Sequence, residues 1–438
     1  MTPEAMAAAG RPAMPSAALA AAARPRSAAD EAVRFSVVAL LAALLLQRFG
    51  LPAGGEVPLS VVGPIGLLCG AFWLLRGALV LDRRRVAALL VLAAVGCLGT
   101  VMSLAAFTAR FAVISWPSLF QFLLLNLFAL LTFREPVDEE RFFAAINGCF
   151  LFVGVAGLIQ FCLQFVGIRL FSFAELGVPI RYTLELFYNI NNAAGFGGLY
   201  KSNGFFLVEA SVYSQMLALG LAIELIYFRR TRHLAVFALG LVLSVSGTGW
   251  MVLGAFVAGA IIRLGARGLM IGVGAMVLGM LALSVLAFTL PDQFEYFIGR
   301  VDEFSSPGSS AHGRFITPWW ALSDLLQDSP WALFVGAGAG ASERLHTQVS
   351  YLYGVNSPMK VMVEYGLPGL IAYLALFLAA DRTPRQSALI LPLMVLFLFT
   401  GTYVQFAPIL FPTLLLTSVA RLRPTPPRSP GRGGHAPP

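Results

Sequence analysis

Charge is what this chain has least of. Of its 438 residues only 12% are Asp, Glu, Lys or Arg, about half the share usual in soluble domains, which excludes an ordinary soluble globular protein. Cysteine is scarce as well. Cys69, Cys97, Cys149 and Cys162 all lie inside apolar runs, where the thiol behaves as a small hydrophobe, and no disulfide or zinc spacing is visible. The alternating segments of about ten residues that a membrane β-barrel needs are missing, as are a solenoid period and an inverted repeat of the transporter kind. Residues 1–31 are rich in Ala and Pro, carry Arg11, Arg24 and Arg26, lack the apolar core and cleavage site of a signal peptide, and read as a disordered cytoplasmic tail. The Pro/Gly/Arg-rich residues 424–438 read the same way.

Apolar residues are what is abundant. They make up 58% of the chain, about 254 residues, with a mean hydropathy of +0.80. At roughly 20 residues per spanning helix the ceiling is about twelve spans. The runs are about 15 to 25 residues long, which predicts an all-α polytopic membrane protein whose transmembrane domain covers 32–423. Helices are expected near 32–49, 58–81, 86–107, 111–133, 142–167, 205–228, 269–290, 356–380, 386–400 and 404–420. The stretch 234–262 carries Ser244-Val245-Ser246-Gly247-Thr248-Gly249 in its middle, a helix-breaking sequence. Splitting it into two short helices gives twelve spans with both termini cytoplasmic. It also places Arg83 to Arg85, Arg229, Arg230, Arg232, Arg263, Arg267, Arg382 and Arg385 inside, as the positive-inside rule requires.

That arrangement leaves two long external segments, 168–204 and 291–355. Nine of the 30 basic residues fall outside, and seven of them, Arg169, Arg181, Lys201, Arg300, Arg314, Arg344 and Lys360, lie in or beside these segments. Their placement runs against the positive-inside trend and points to an anionic ligand on the outer face, although pairing with external carboxylates such as Asp302 or Glu343 is the plainer alternative. Arginine offers phosphate a planar fork. The segment Lys201-Ser202-Asn203-Gly204 leads into a helix carrying Glu209, Ser211, Ser214 and Gln215. A carboxylate a turn inside the membrane faces a polar cavity or a partner, and the hydroxyls share one stripe, which helix packing also explains. In the second segment Arg300, Arg314 and the Trp319-Trp320 pair suit a phosphate-bearing lipid, with a headgroup anchor the simpler role for the tryptophans. Gly336-Ala337-Gly338-Ala339-Gly340 lacks the preceding strand of a dinucleotide loop and is expected to be a tight backbone turn. His346 is a candidate general base, as is Glu209. No Asp-x-Asp pair lies in the external segments, and the charge distribution excludes a nucleic-acid binder.

At these residues the chain resembles the bacterial O-antigen ligase and polymerase superfamily, its exopolysaccharide polymerase branch above all. Lys201-Ser202-Asn203-Gly204 with Glu209-Ala210-Ser211 is similar to that family's basic-Ser-Asn-Gly followed by Glu-Pro-Ser. Arg300 to Phe304 with Arg314 resembles the start of its large periplasmic loop, and Gly336-Ala337-Gly338, Asn356 and Glu364-Tyr365-Gly366-Leu367-Pro368-Gly369 the end of that loop. The resemblance covers about residues 180–380. It implies an inner-membrane glycosyltransferase that moves glycan from an undecaprenyl-pyrophosphate-linked donor to the hydroxyl of a lipid-linked acceptor at the periplasmic face, without metal or cofactor. Export or chain-length proteins are the further partners it suggests. Lys201, Arg300, Arg314 and Arg181 would hold the pyrophosphate, and Glu209 or His346 would take the acceptor's proton. The chain departs from the pattern at Val355, where the ligases commonly carry His, at Ala210 in place of Pro, and at Lys201 in place of Arg. A ligase with a different acceptor and a transporter or flippase of lipid-linked sugars are the alternatives.

Overall fold

The computed structural model describes residues 27–52, 58–107, 114–188, 199–289, 299, 302, 304–307, 309–343 and 355–425. The expected tails lie almost wholly outside them. The described chain is mostly helical: α1 Ala28–Leu45, α2 Val62–Leu75, α3 Arg83–Ala106, α4 Trp116–Asn126, α5 Glu139–Leu163, α6 Ala210–Ile223, α7 Thr231–Leu243, α8 Gly247–Leu264, α9 Ala266–Thr289, α10 Ser310–Phe315, α11 Thr317–Asp328, α12 Ala332–Val335, α13 Ser357–Leu378, α14 Ile390–Met394 and α15 Ala407–Leu414. Three two-stranded ribbons join loops at the helix ends.

Five of the described helices are long and apolar enough to cross a membrane: Arg83–Ala106, Glu139–Val166, Ala210–Phe228, Gly247–Leu264 and Ser357–Leu378. Five more apolar helices are shorter: Val62–Leu75, Trp116–Leu130, Thr231–Leu243, Gln386–Phe399 and Ala407–Val419. The protein is therefore a multi-pass helical membrane protein in which many elements fall short of a full bilayer. The causes are local. The expected helix near 111–133 begins only at Trp116, with Pro117 in its first turn. The expected helix near 205–228 begins only at Ala210, because Gly204 and Phe205 hold left-handed backbone, φ 69° and 63°, which no right-handed helix accepts.

The stretch 234–262 is broken. Ser244 Oγ turns back onto Leu241 O at 2.6 Å, Val245 takes φ 45°, and α8 starts anew at Gly247. Arg263, at the far end of α8, donates to Pro384 O at 3.3 Å, so α7 and α8 together make a there-and-back excursion.

The links sort to two ends of the molecule. One end gathers the ribbon Leu79–Leu81 with Leu131–Phe133, the pairing of Val137–Asp138 with Leu422–Arg423, Arg85 donating to Ala129 O and Leu131 O, and Thr383 donating to Glu139. Buried Glu224 accepts there from Asn147 at 2.6 Å and from Arg230 at 2.7 Å. The opposite end gathers Arg48, 168–188, 199–209, 310–343 and 400–406. Aromatic rings fill the middle, among them Phe35 on Phe128, Phe122 on Tyr373 and Phe377 on Phe397.

Helix α13 is interrupted at Gly366, φ 69° and ψ −176°. Pro368 has no N–H, so Glu364 O loses its intrahelical donor. The glycine strip supplies the replacement: Ala337 N donates to Val363 O at 2.7 Å and Gly338 N to Glu364 O at 3.1 Å. The approach admits no side chain, since a Cβ on Gly336 would lie 2.5 Å from Glu364 O and one on Gly366 2.5 Å from Phe334 O. The strip is thus the turn the sequence predicts, with the added task of completing a broken helix.

Candidate functional site

The loop ahead of α6 is anchored by its middle residues. Ser202 and Asn203 are buried. Gln160 on α5 serves both of them: its carbonyl accepts from Ser202 Oγ and Asn203 N, each at 3.1 Å, and its amide donates to Asn203 Oδ1 at 2.8 Å. Tyr213 closes the other side, donating to Gly154 O at 3.1 Å and occupying the space a side chain at Gly157 or Gly204 would need. The Ser-Asn-Gly motif is in this way a buried polar clasp, consistent with the rule that buried polar groups find partners. Lys201 stands half-buried at its edge.

Arg48 makes a second anchor. Its guanidinium, 1% exposed, donates to Phe205 O at 2.5 Å and Phe171 O at 2.6 Å and pairs with Glu185. Glu185 also accepts from Ser172 and from Phe173 N at 2.6 Å. The external segment is thereby tied both to the end of α1 and to the strained backbone at Phe205.

These anchors fix the mouth of α6. Glu209 is its N-cap residue, so the carboxylate stands at the helix start, not one turn along a helix that begins near 205. The later helix start is the reason. Its Oε2 accepts from Ser211 Oγ at 2.7 Å. Thr248, in the first turn of α8, donates to Ser211 O at 3.2 Å and lies 3.3 Å from Ser214 Oγ and 3.0 Å from Ser246 Oγ. One turn below Ser211, buried Gln215 meets the Tyr403 hydroxyl at 3.4 Å.

The start of α13 is a hub. Val355 O accepts from Thr402. Asn356 caps the helix by accepting from Met359 N at 3.1 Å while donating to Arg314 O at 3.0 Å. Ser357 Oγ donates to Phe397 O at 2.7 Å and accepts from Tyr403 N at 2.9 Å. Three consecutive residues therefore hold Tyr403 and the backbone of Arg314 relative to one another. The charges of Arg314 and Glu209 both act on the Tyr403 phenol, whose loss of a proton is made harder chiefly by burial. Tyr188 is also held well above the ordinary phenol range, first by burial and then by Glu209.

Of the residues the sequence singles out, the structure brings Glu209 and Arg314 to one cluster. Arg181 is exposed, its guanidinium 4.9 Å over the Tyr182 ring. Arg300 and His346 lie outside the described residues. Tyr188, Gln215 and Tyr403 belong to the cluster without a sequence signal for tyrosine or glutamine chemistry; Gln215 alone was marked, by its helical spacing from Ser211. The arrangement offers a carboxylate able to accept a proton, neutral phenols able to donate hydrogen bonds and a guanidinium able to neutralise an anion. No family model, curated protein or solved structure matches the chain.

Proposed function

We propose that the protein is an inner-membrane polysaccharide polymerase. It transfers glycan from an undecaprenyl-pyrophosphate-linked donor to the hydroxyl of a lipid-linked acceptor at the periplasmic face, the chain crossing the membrane twelve times with both ends cytoplasmic. The observation that carries this reading is the run of contacts, at one end of a multi-pass helical body, from Glu209 through Ser211 and, one turn on, Gln215 to Tyr403, and from Tyr403 through Ser357 and Asn356 to the backbone of Arg314. The order of the Lys201 to Ser211, Arg300 to Arg314 and Asn356 to Gly369 motifs supports it from the sequence side.

The chemistry follows from the charges. As the bond between the sugar and the pyrophosphate breaks, negative charge grows on the leaving oxygen, and a guanidinium held there lowers the barrier. Arg314 has that role, with Arg300 and Lys201 as further cations. Glu209 takes the proton of the acceptor hydroxyl. Tyr403, kept neutral, holds the Gln215 amide behind them through its hydroxyl.

The test is polymerisation by purified protein in detergent, given a lipid-pyrophosphate-linked repeat unit as sole substrate. Longer lipid-linked product is expected, with Arg314→Ala lowering kcat by about a hundredfold or more, the usual cost of removing a charge-stabilising donor. No elongation by folded wild-type protein removes the polymerase reading, since transport needs a bilayer and this assay has none.

A further inference from the structure

Beside Glu209 the protein presents aromatic faces that its own packing leaves partly open. Tyr188, Phe406 and Tyr403 run in a chain, with ring centroids 5.9 Å apart at 42° and 6.1 Å apart at 32°. Tyr188 and Phe406 are half-buried, so each packs against the core and keeps part of its ring outside it. The three come from two distant segments: Tyr188 from the first external stretch, Phe406 and Tyr403 from the link between α14 and α15. The backbone of Tyr403 is fixed by Ser357 Oγ, and the Gly401 position leaves its ring room to lie flat against the chain, where a Cβ would stand 2.7 Å away. Along the edge of this wall stands Glu209 with its Ser211 hydroxyl, while the buried amide of Gln215 holds the Tyr403 hydroxyl from behind.

An aromatic face bordered by a carboxylate matches one ligand chemistry closely. Pyranose rings are amphipathic: one face is a patch of C–H bonds and the rim is hydroxyls that donate as well as accept. Aromatic rings supply apolar area with fixed geometry, and a carboxylate accepts from two neighbouring hydroxyls. A phosphate would be repelled by Glu209 at this point and drawn instead toward Arg314. We propose that Tyr188 and Phe406, backed by buried Tyr403 and with Glu209 at their edge, form the subsite for the terminal sugar ring of the acceptor glycan. The inference rests on the polymerase reading for the word acceptor, and on the wall alone for the word sugar. It divides the site into an anion half at Arg314 and a neutral saccharide half at Tyr188 and Phe406.

The probe is the repeat-unit oligosaccharide released by mild acid from the polyprenyl-linked material of the producing cells, added to purified full-length protein in detergent. Saturation-transfer NMR from protein aromatic protons is expected to light up the ring C–H protons of one terminal sugar. Tyr188→Leu and Phe406→Leu should each weaken binding about three- to tenfold, the worth of one aromatic contact, while Tyr188→Phe, which keeps the ring, retains the transfer. Size-exclusion elution and melting temperature equal to wild type admit the Leu variants to the comparison; if either fails this, Tyr188→Phe against Phe406→Ala decides. In the polymerisation assay the Leu variants should raise KM for acceptor at little cost to kcat. Absence of saturation transfer in wild type, or unchanged affinity in both Leu variants, overturns the subsite. Sugar binding lost in the Leu variants without any polymer from wild type keeps the subsite and removes the polymerase; polymer with unaltered KM does the reverse.

Discussion

Lys360 and Glu364 lie one turn apart on α13, both almost wholly buried, with Nζ 3.0 Å from Glu364 Oε1 and 2.9 Å from Ser342 Oγ. Exposed Glu343 adds a contact at 3.4 Å. The sequence presents Lys360 as one of the external cations; the structure spends its charge inside the protein, closing the residue 336–343 strip onto α13. Removing one partner of such a pair leaves an uncompensated buried charge, at a cost of about 3–5 kcal/mol, whereas replacing both is far less harmful. Lys360→Met should therefore lower the melting temperature sharply, and Lys360→Met with Glu364→Met should recover most of the loss, as thermal unfolding in detergent will measure. The phenols of Tyr188 and Tyr403 make a second prediction. Both are held above the ordinary value near 10. Folding thus favours their protonated forms, and that stabilisation is full below about pH 10 and is lost as pH rises through the folded values. At about pH 10, the ordinary phenol midpoint, Tyr188→Phe or Tyr403→Phe should each remove less than half a tyrosinate's absorbance from the folded protein, because both phenols titrate above that pH.

Helix α13 shows how an element can be incomplete by itself. Its first half is capped at the break by two hydrogen bonds from the glycine strip to Val363 O and Glu364 O, and its first residues hold Arg314 O and Tyr403 N. Disturbing the strip therefore reaches the site through the helix. Gly366→Ala meets a left-handed φ of 69° and a carbonyl 2.5 Å from the new Cβ; strain and overlap together should cost about 2–4 kcal/mol. The expected outcome is a lowered melting temperature with activity lost in step with the folded fraction. Gly148→Ala, with nothing within 4 Å of the new Cβ in the interior of α5, is the matched control and should melt at or slightly above wild type. Helix α6 carries the converse lesson. Its late start places Glu209 at the mouth, and the start is late because Gly204 and Phe205 are clasped in a left-handed turn by Gln160 and Arg48.

At the scale of the molecule, the broken pair α7 and α8 sets the sidedness of everything after it. Arg263 meeting Pro384 O puts it at the same end as Arg382 and Arg385. In whole cells, single cysteines at Arg232 and Arg263 should resist a membrane-impermeant maleimide until the membrane is opened, while a cysteine at Arg181 or Trp319 should label at once, in a background with the four native cysteines replaced. Labelling of both 232 and 263 from outside would invert the orientation of the protein, and labelling of 263 without 232 would contradict the there-and-back path of α7 and α8.

The sequence by itself determined the solvent. An apolar majority in long runs and charge confined to the breaks admit only a helical membrane protein, because hydropathy is additive and needs no knowledge of neighbours. It also marked Glu209, Arg314 and the break at 244–249, since an out-of-place charge and a run of Ser and Gly are visible one residue at a time. Which cations are spent on structure was not visible. Arg48 and Lys360 read like Arg314 in the sequence, and only their buried carboxylate partners, Glu185 and Glu364, separate them. Nor were Tyr188, Gln215 and Tyr403 marked as one site. A tyrosine in an apolar chain is ordinary until a distant helix start, through Ser357, sets its hydroxyl against Gln215, and that proximity is a property of packing that no local pattern encodes.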